Sequence, residues 1–217
     1  KTTLVNNLAS FTVASITPVI VDPETLFLIL DVNAQFNSSL TTETPNSIAS
    51  LVNTTLINFN NDDLQQFNSV FRHSKVVGLI DNTDKSITSN VTRITMGKFF
   101  TPTLSSSIGY TINFNNAFFH PHEGHNGANG GVLASSGFKV SGDTVNEQFF
   151  DDDGNGNLRI FFLLAGVRTY IDNTAGTINY GTGEIKINPV NIISISDVDG
   201  SSSEQIRITV TPDSQDI

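Results

Sequence analysis

Residues 25–36 read Thr-Leu-Phe-Leu-Ile-Leu-Asp-Val-Asn-Ala-Gln-Phe, and residues 44–59 read Thr-Pro-Asn-Ser-Ile-Ala-Ser-Leu-Val-Asn-Thr-Thr-Leu-Ile-Asn-Phe. The first stretch is apolar throughout its start and then alternates, with Leu30, Val32, Ala34 and Phe36 on one face. A period of two marks a strand, and the apolar start predicts burial on both faces there. The second stretch changes period. Thr44 is an N-cap residue type, and Pro45 suits the first helical position because its missing N–H has no partner there anyway. Ile48, Leu51, Val52, Leu56 and Phe59 then recur at helical spacing, which predicts one apolar face over residues 45–59. A strand that feeds an amphipathic helix sets the class of this part of the chain as α+β.

Working outward, Phe11 to Ile16 alternates weakly, Val19-Ile20-Val21 is extended, and Asp22-Pro23-Glu24 is a turn signal. Downstream, Asn60-Asn61-Asp62-Asp63 is expected to end the helix. Phe67, Val70 and Phe71 make a short apolar link that could be extended. Ser74 is placed to cap a second helix with Val76, Val77, Leu79 and Ile80 inward, and Asn82-Thr83-Asp84 stops it. Ser86 to Phe99 alternates again. After Pro102 no helical pattern appears. Strand candidates fall at Tyr110–Phe114, 132–140, 145–150, Leu158–Leu164, Val167–Ile171, Gly176–Tyr180, Glu184–Ile187 and Gln205–Val210, with Gly and Asn between them. Gly181-Thr182-Gly183 is a hairpin turn candidate. The expected architecture is α+β: an N-terminal α+β domain over residues 1–99, with two helices packed on one sheet, and a mostly antiparallel β domain over residues 100–217.

Composition narrows function. Of 217 residues 38% are hydrophobic, enough for a core, but only 15% are charged, against roughly 25% in an average globular chain. Neutral polar residues fill the difference, 24 of them Asn. A net charge of −10 argues against coating nucleic acid and against anionic membrane. No run of 18 apolar residues suggests a membrane-spanning helix. With no Cys, thiolate metal sites, disulfides and cysteine nucleophiles are excluded. Lys1, with no initiator Met and no signal segment, is expected of a fragment or a processed product.

Two clusters could carry chemistry. His120, His122 and His125, with Glu123, sit in a glycine-rich stretch, and imidazoles with a carboxylate suit zinc. An H-x-H pair in extended backbone would place both rings on one side. Asp151, Asp153 and Asn155, followed by Gly156, match the first half of a calcium loop. The bidentate Glu that should complete it is replaced by Phe162, so an acidic β-turn is the plainer reading. His73 is expected to pack or cap near the second helix. No nucleophile elbow, Walker loop or dinucleotide fingerprint occurs. On these residues the site assignment is none, catalytic, metal or cofactor. A calcium-assisted carbohydrate-binding module and a metal-dependent enzyme using the 120–125 loop stand as alternatives.

The ordered series of segments resembles a family. Val19-Ile-Val-Asp-Pro-Glu-Thr-Leu-Phe-Leu-Ile-Leu-Asp-Val is similar to the start of a domain found in baseplate J-like proteins of contractile tails. The helix 45–59, Asn58-Phe59-Asn60, the run from Leu64 to Asp81, and Thr92-Arg-Ile-Thr-Met-Gly-Lys-Phe-Phe-Thr-Pro102 continue the likeness. Phe150–Ile160 and Gly176–Ile185 resemble the final β domain of the inner-ring wedge subunit of T4-like phages. This resemblance implies a non-enzymatic structural subunit of the virion's tail baseplate, assembled in the host cytoplasm and needing no cofactor. It implies self-association through a homodimer contact and binding to other baseplate wedge proteins, with no nucleic-acid or membrane partner. It further implies a part in the shape change that triggers sheath contraction.

Overall fold

The computed structural model describes residues 25–217. The strands expected at 11–16 and 19–21, and the turn at 22–24, lie outside the described residues. Strand β1 (Phe27–Phe36) pairs antiparallel with β2 (Ile87–Phe100), from Phe27↔Gly97 to Phe36↔Ile87. Leu28, Leu30, Val32, Ala34 and Phe36 turn inward against two helices. Burial on both faces at the start of β1 does not occur. Phe27 and Ile29 point away from the helices and are exposed, because the helices cover one face only.

Helix α1 (Pro45–Phe59) begins where expected, with Thr44 Oγ1 accepting from the Ser47 N–H at 3.2 Å. Ile48, Val52 and Phe59 are its buried positions. Asn60–Asp63 prolongs the helix rather than ending it. A π-helical turn spans Asn60–Leu64, closed by Gln65 N–H donating to Asn60 O at 2.9 Å. An ion pair of Lys75 with Asp63 at 2.6 Å and the packing of Leu64 on the core hold the extra turn. Helix α2 (His73–Asp81) buries Val76 and Ile80. Ser74 does not cap it. The free N–H of His73 instead donates to Asp216 Oδ1 at 2.9 Å. His73 packs as expected, its Nε2 donating to Thr92 O at 3.0 Å. No strand forms between the helices. Phe67 and Val70 are exposed, and buried Phe71 exchanges two backbone hydrogen bonds with Ile217.

The remaining strands are β3 (Ser106–Asn113), β4 (Leu133–Ser135), β5 (Phe138–Val140), β6 (Asp143–Asp152), β7 (Asn157–Leu164), β8 (Val167–Asn179), β9 (Glu184–Ile195) and β10 (Ile206–Val210). Pairings β5–β6, β6–β7, β7–β8, β8–β9 and β5–β9 are all antiparallel and close on themselves as a five-stranded barrel. Closure removes the edges that would otherwise be open to pairing. β10 lies between β2 and β4, so one ten-stranded sheet joins the helix-bearing part to the barrel.

Two expected strands, Val167–Ile171 and Gly176–Tyr180, are one strand, β8. The Asp172 carboxylate takes up the Thr174 N–H at 2.8 Å in the bulge where β8 loses register with β7, and pairing resumes at Gly176. β9 also runs further than expected, straight through Pro189. Proline is tolerated in a sheet where pairing is already interrupted. Here β3 shifts register between Ile108 and Tyr110, and a Cβ on Gly109 would lie 3.0 Å from Ile187 O. Two apolar clusters result. One, under α1 and α2, centres on Val76, Ile80 and Phe71. The other runs through the barrel and on to β2, β4 and β10, and includes Phe114, Phe118, Phe138, Phe150 and Ile185.

Candidate functional site

The acidic run was expected to be a turn from Asp151 onward, but β6 continues through Asp152. Asp151 and Asp152 are therefore carried into the protein interior, and the turn begins at Asp153. Asp151 stands opposite Arg159 across the β6–β7 pair and accepts from Arg159 Nε at 2.9 Å. Tyr170 OH donates to its other oxygen at 2.8 Å, and Arg168 Nη1 lies 3.6 Å away. Arg159 also donates to Gly127 O and Asp152 O, and its guanidinium lies over the Tyr170 ring. Burial pushes the Asp151 carboxyl above its usual value, although Tyr170, Arg159 and Arg168 pull it the other way.

Asp152 is fully buried and accepts four hydrogen bonds. Oδ1 takes Val132 N–H at 2.7 Å and Leu133 N–H at 2.8 Å. Oδ2 takes Tyr180 OH at 2.7 Å and Gly154 N–H at 3.2 Å. A buried carboxylate is tolerated when its lone pairs are occupied in this way. Burial, followed by the bond to Asp152, raises the Tyr180 hydroxyl pKa far above its ordinary value.

The 120–131 segment lies over this acidic turn, and that contact explains its glycines. A Cβ on Gly131, whose φ is +63°, would fall 2.1 Å from Asp152 Oδ1. One on Gly154, at φ +74°, would fall 2.7 Å from the backbone of Gly124 and His125. Only glycine allows both that backbone geometry and that approach. Gly124 N–H donates to Gly154 O at 2.7 Å, and His120 Nε2 donates to the same oxygen at 2.8 Å.

The structure thus separates residues that their spacing groups together. His120 stacks flat on Tyr180, with ring centroids 4.0 Å apart. His122 and His125 instead face each other, 3.4 Å between His122 Nε2 and His125 Nδ1. The H-x-H pair does not act as a unit, because the segment turns rather than staying extended. Asp151 and Asp153 do not share a ligand either. Asp153 caps its own turn, accepting from the N–H groups of Asn155 and Asn157 and from Asn157 Nδ2, while Asn155 Nδ2 bonds Asp153 O. Among the described residues no group of three or more His, Cys, Asp and Glu side chains is arranged to hold a metal.

Residues 24–98 match the family described as baseplate structural protein gp6, C-terminal domain III. This segment belongs to that family. The matched residues carry β1, α1, α2 and nearly all of β2, the part of the fold built on the first apolar cluster. The protein is a structural, non-enzymatic component of the phage baseplate and so of the virion. No curated protein matches the chain. The gp6 domain occupies about a third of the chain, and the barrel lies outside the match.

Exposed apolar side chains are spread over the described residues, and two groups of them lie together on one strand or hairpin. The outward face of β1 in the gp6 domain shows Phe27 and Ile29, with Phe27 set edge-on to Phe99 at 5.3 Å. At the far end of the barrel, the hairpin joining β7 and β8 turns through Ala165 and Gly166, both at positive φ as a two-residue turn requires. Leu164 is 62% and Val167 68% exposed there, with Leu163 and Ile171 exposed beside them. β6 pairs with β7 only up to Phe162, so this apolar tip projects past that strand pair. These apolar side chains lie next to one another on the hairpin and face solvent. Sequence reading missed both surfaces because each strand looked like core; the sign available was the uninterrupted run Leu163-Leu164-Ala165-Gly166-Val167 across a turn.

Proposed function

We propose that the chain is a baseplate wedge subunit whose barrel and β1 face dock on copies of itself and on neighbouring wedge proteins. Through those contacts it takes part in the shape change that triggers sheath contraction. The observation that carries this reading is the projecting apolar hairpin at Leu163–Val167, held on a barrel whose buried charges are already paired. Such an element is a rigid anchor that loses little conformational freedom on docking. The proposed units meet near residues 99–100, just beyond Met96–Gly97, where β2 changes from pairing with β1 to pairing with β10. Low surface charge reduces the desolvation opposing burial of broad faces.

The test is mass in solution by light scattering, together with co-purification with a wedge protein, for the wild type and for a Leu164→Asp, Val167→Asp double variant. A dimer or a wedge complex that the variant loses, while its circular dichroism is unchanged, supports the reading. A strictly monomeric wild type that captures no wedge protein at high concentration overturns it.

A further inference from the structure

We propose that His122 and His125 form a two-histidine site for a borderline divalent cation of the zinc type. Three observations place the ligand atoms. First, His122 Nδ1 donates to Glu123 O at 2.9 Å. That bond puts the ring proton on Nδ1 and leaves the Nε2 lone pair free, the arrangement in which an outer hydrogen bond prepares a histidine for metal. Second, the Nε2 lone pair faces His125 Nδ1 at 3.4 Å, with the ring planes at 81°. This is a long N–H···N hydrogen bond in which His125 Nδ1 donates, and a cation bound between the rings takes the place of that proton, which passes to His125 Nε2. The 3.4 Å separation equals the edge of a tetrahedron around zinc, since Zn–N bonds of about 2.0–2.1 Å put neighbouring nitrogens about 3.3–3.4 Å apart.

Third, the pair is held before any ion arrives. His125 N–H donates to His122 O at 3.2 Å, closing a turn, and Gly124 in that turn is bound to Gly154 O. Phe119 packs edge-on to the His125 ring at 5.1 Å. A bidentate pair on a fixed turn has no loop to order on binding, which favours the bound state. With no third protein ligand among the described residues, the two remaining tetrahedral positions fall to water or to side chains of another molecule. His122 is exposed, so such groups can reach the ion. Zinc binding needs no baseplate partner, so its failure leaves the wedge reading standing.

The experiment titrates zinc alone into the whole chain, followed by calorimetry and by the imidazole resonances in NMR. The His122 and His125 ring signals are expected to shift while that of His73, bound to Thr92 O, stays still. His122→Ala and His125→Ala should each abolish the calorimetric signal. A stoichiometry of one zinc per chain indicates completion by water. One zinc per two chains, with doubled mass, indicates completion by the pair of a second copy; both support the site. Absence of binding, or binding that survives both substitutions, overturns it. The NMR readout decides the matter even if a variant fails to fold, because wild-type rings that do not move under zinc refute the proposal directly.

Discussion

Asp152 offers a sharp test of how the barrel is held. Replacing it with Ala strands the buried N–H groups of Leu133 and Gly154 and takes the acceptor from the half-buried Val132 N–H and Tyr180 hydroxyl. Each stranded buried group costs about 1–3 kcal/mol, but such terms are not additive. Losing the buried charge also removes its own desolvation penalty. The expected net loss is about 3–5 kcal/mol, well short of four full terms because they overlap and part of the desolvation penalty is recovered. Asp152→Asn keeps the oxygen facing Val132 and Leu133, and Tyr180 can turn to accept from the new amide. Only Gly154 N–H is left facing another donor, so about 1–3 kcal/mol is expected. Tyr180→Phe removes one bond to a charged acceptor, for a loss of about 1.5–3 kcal/mol. Urea unfolding read by circular dichroism gives all three, with unchanged slopes against urea if the unfolded states are alike. An Asp152→Ala variant within about 0.5 kcal/mol of wild type would refute the network, since that is the scatter of neutral surface changes. Equal losses for Tyr180→Phe and Asp152→Ala would show that the backbone donors contribute nothing.

Three further outcomes are expected. Thr44→Ala, which removes the acceptor of Ser47 N–H, should lower stability by about 1 kcal/mol in urea unfolding, with no change in the barrel's near-ultraviolet spectrum. Gly131→Ala should lower it by about 1–3 kcal/mol, because a Cβ there meets both an unfavourable φ and the Asp152 carboxylate. At Asp153, burial raises the carboxyl, but hydrogen bonds from Asn157 and from the N–H groups of Asn155 and Asn157 outweigh it and hold the pKa below the usual value. Its stabilisation is thus complete above the unfolded carboxyl pKa, about 3.9, and lost as pH falls through the lower folded value. The stability difference between wild type and Asp153→Asn should therefore shrink on acidification. A difference independent of pH would count against the turn-capping role. Asp151, raised by burial, adds the opposite slope, losing stability as pH rises from the unfolded to the folded value.

What the amino-acid order made legible was local. The helix 45–59 follows from period and cap, and the turn before Asn157 follows from its Asp and Gly content. What it hid was partnership across distance. The N-terminus of α2 is closed by Asp216, 143 residues away, so no reading of Ser74 could have found it. The exposed start of β1 looks like core because strand pattern records which residues are apolar, not whether a second layer covers them. Asp151 and Asp152 were placed in a turn because two adjacent acids suggest solvent. The available contrary sign was Arg159, symmetric with Asp151 about the turn and therefore its cross-strand neighbour in any tight hairpin. The histidines mislead for the same reason. Spacing groups His120 with His122, whereas the chain's turn pairs His122 with His125 and gives His120 to Tyr180.

The two apolar clusters are tied together twice, and this bears on how a baseplate part could pass on movement. β2 pairs with β1 up to Gly97 and with β10 from Met96 onward, so one strand belongs to both halves. Beyond β10, Ile217 exchanges backbone bonds with Phe71 while Asp216 closes the start of α2. A hinge needs a narrow crossing where a few residues absorb the rotation. Here a rotation would break sheet bonds on one side and the tail contact on the other. The halves are therefore expected to tilt as one body, with rearrangement falling at contacts between subunits. Asp216→Ala isolates the second tie. It should reduce hydrogen-exchange protection of the α2 amides by about fivefold, the equivalent of roughly 1 kcal/mol for a lost N-cap. The amides of Ile206–Val210 in β10 should keep their protection, because their bonds to β2 and β4 are untouched. Unchanged exchange in α2 would mean that the C-terminal residues rest on the helix without holding it, and the case for a single rigid body would then depend on β2 alone.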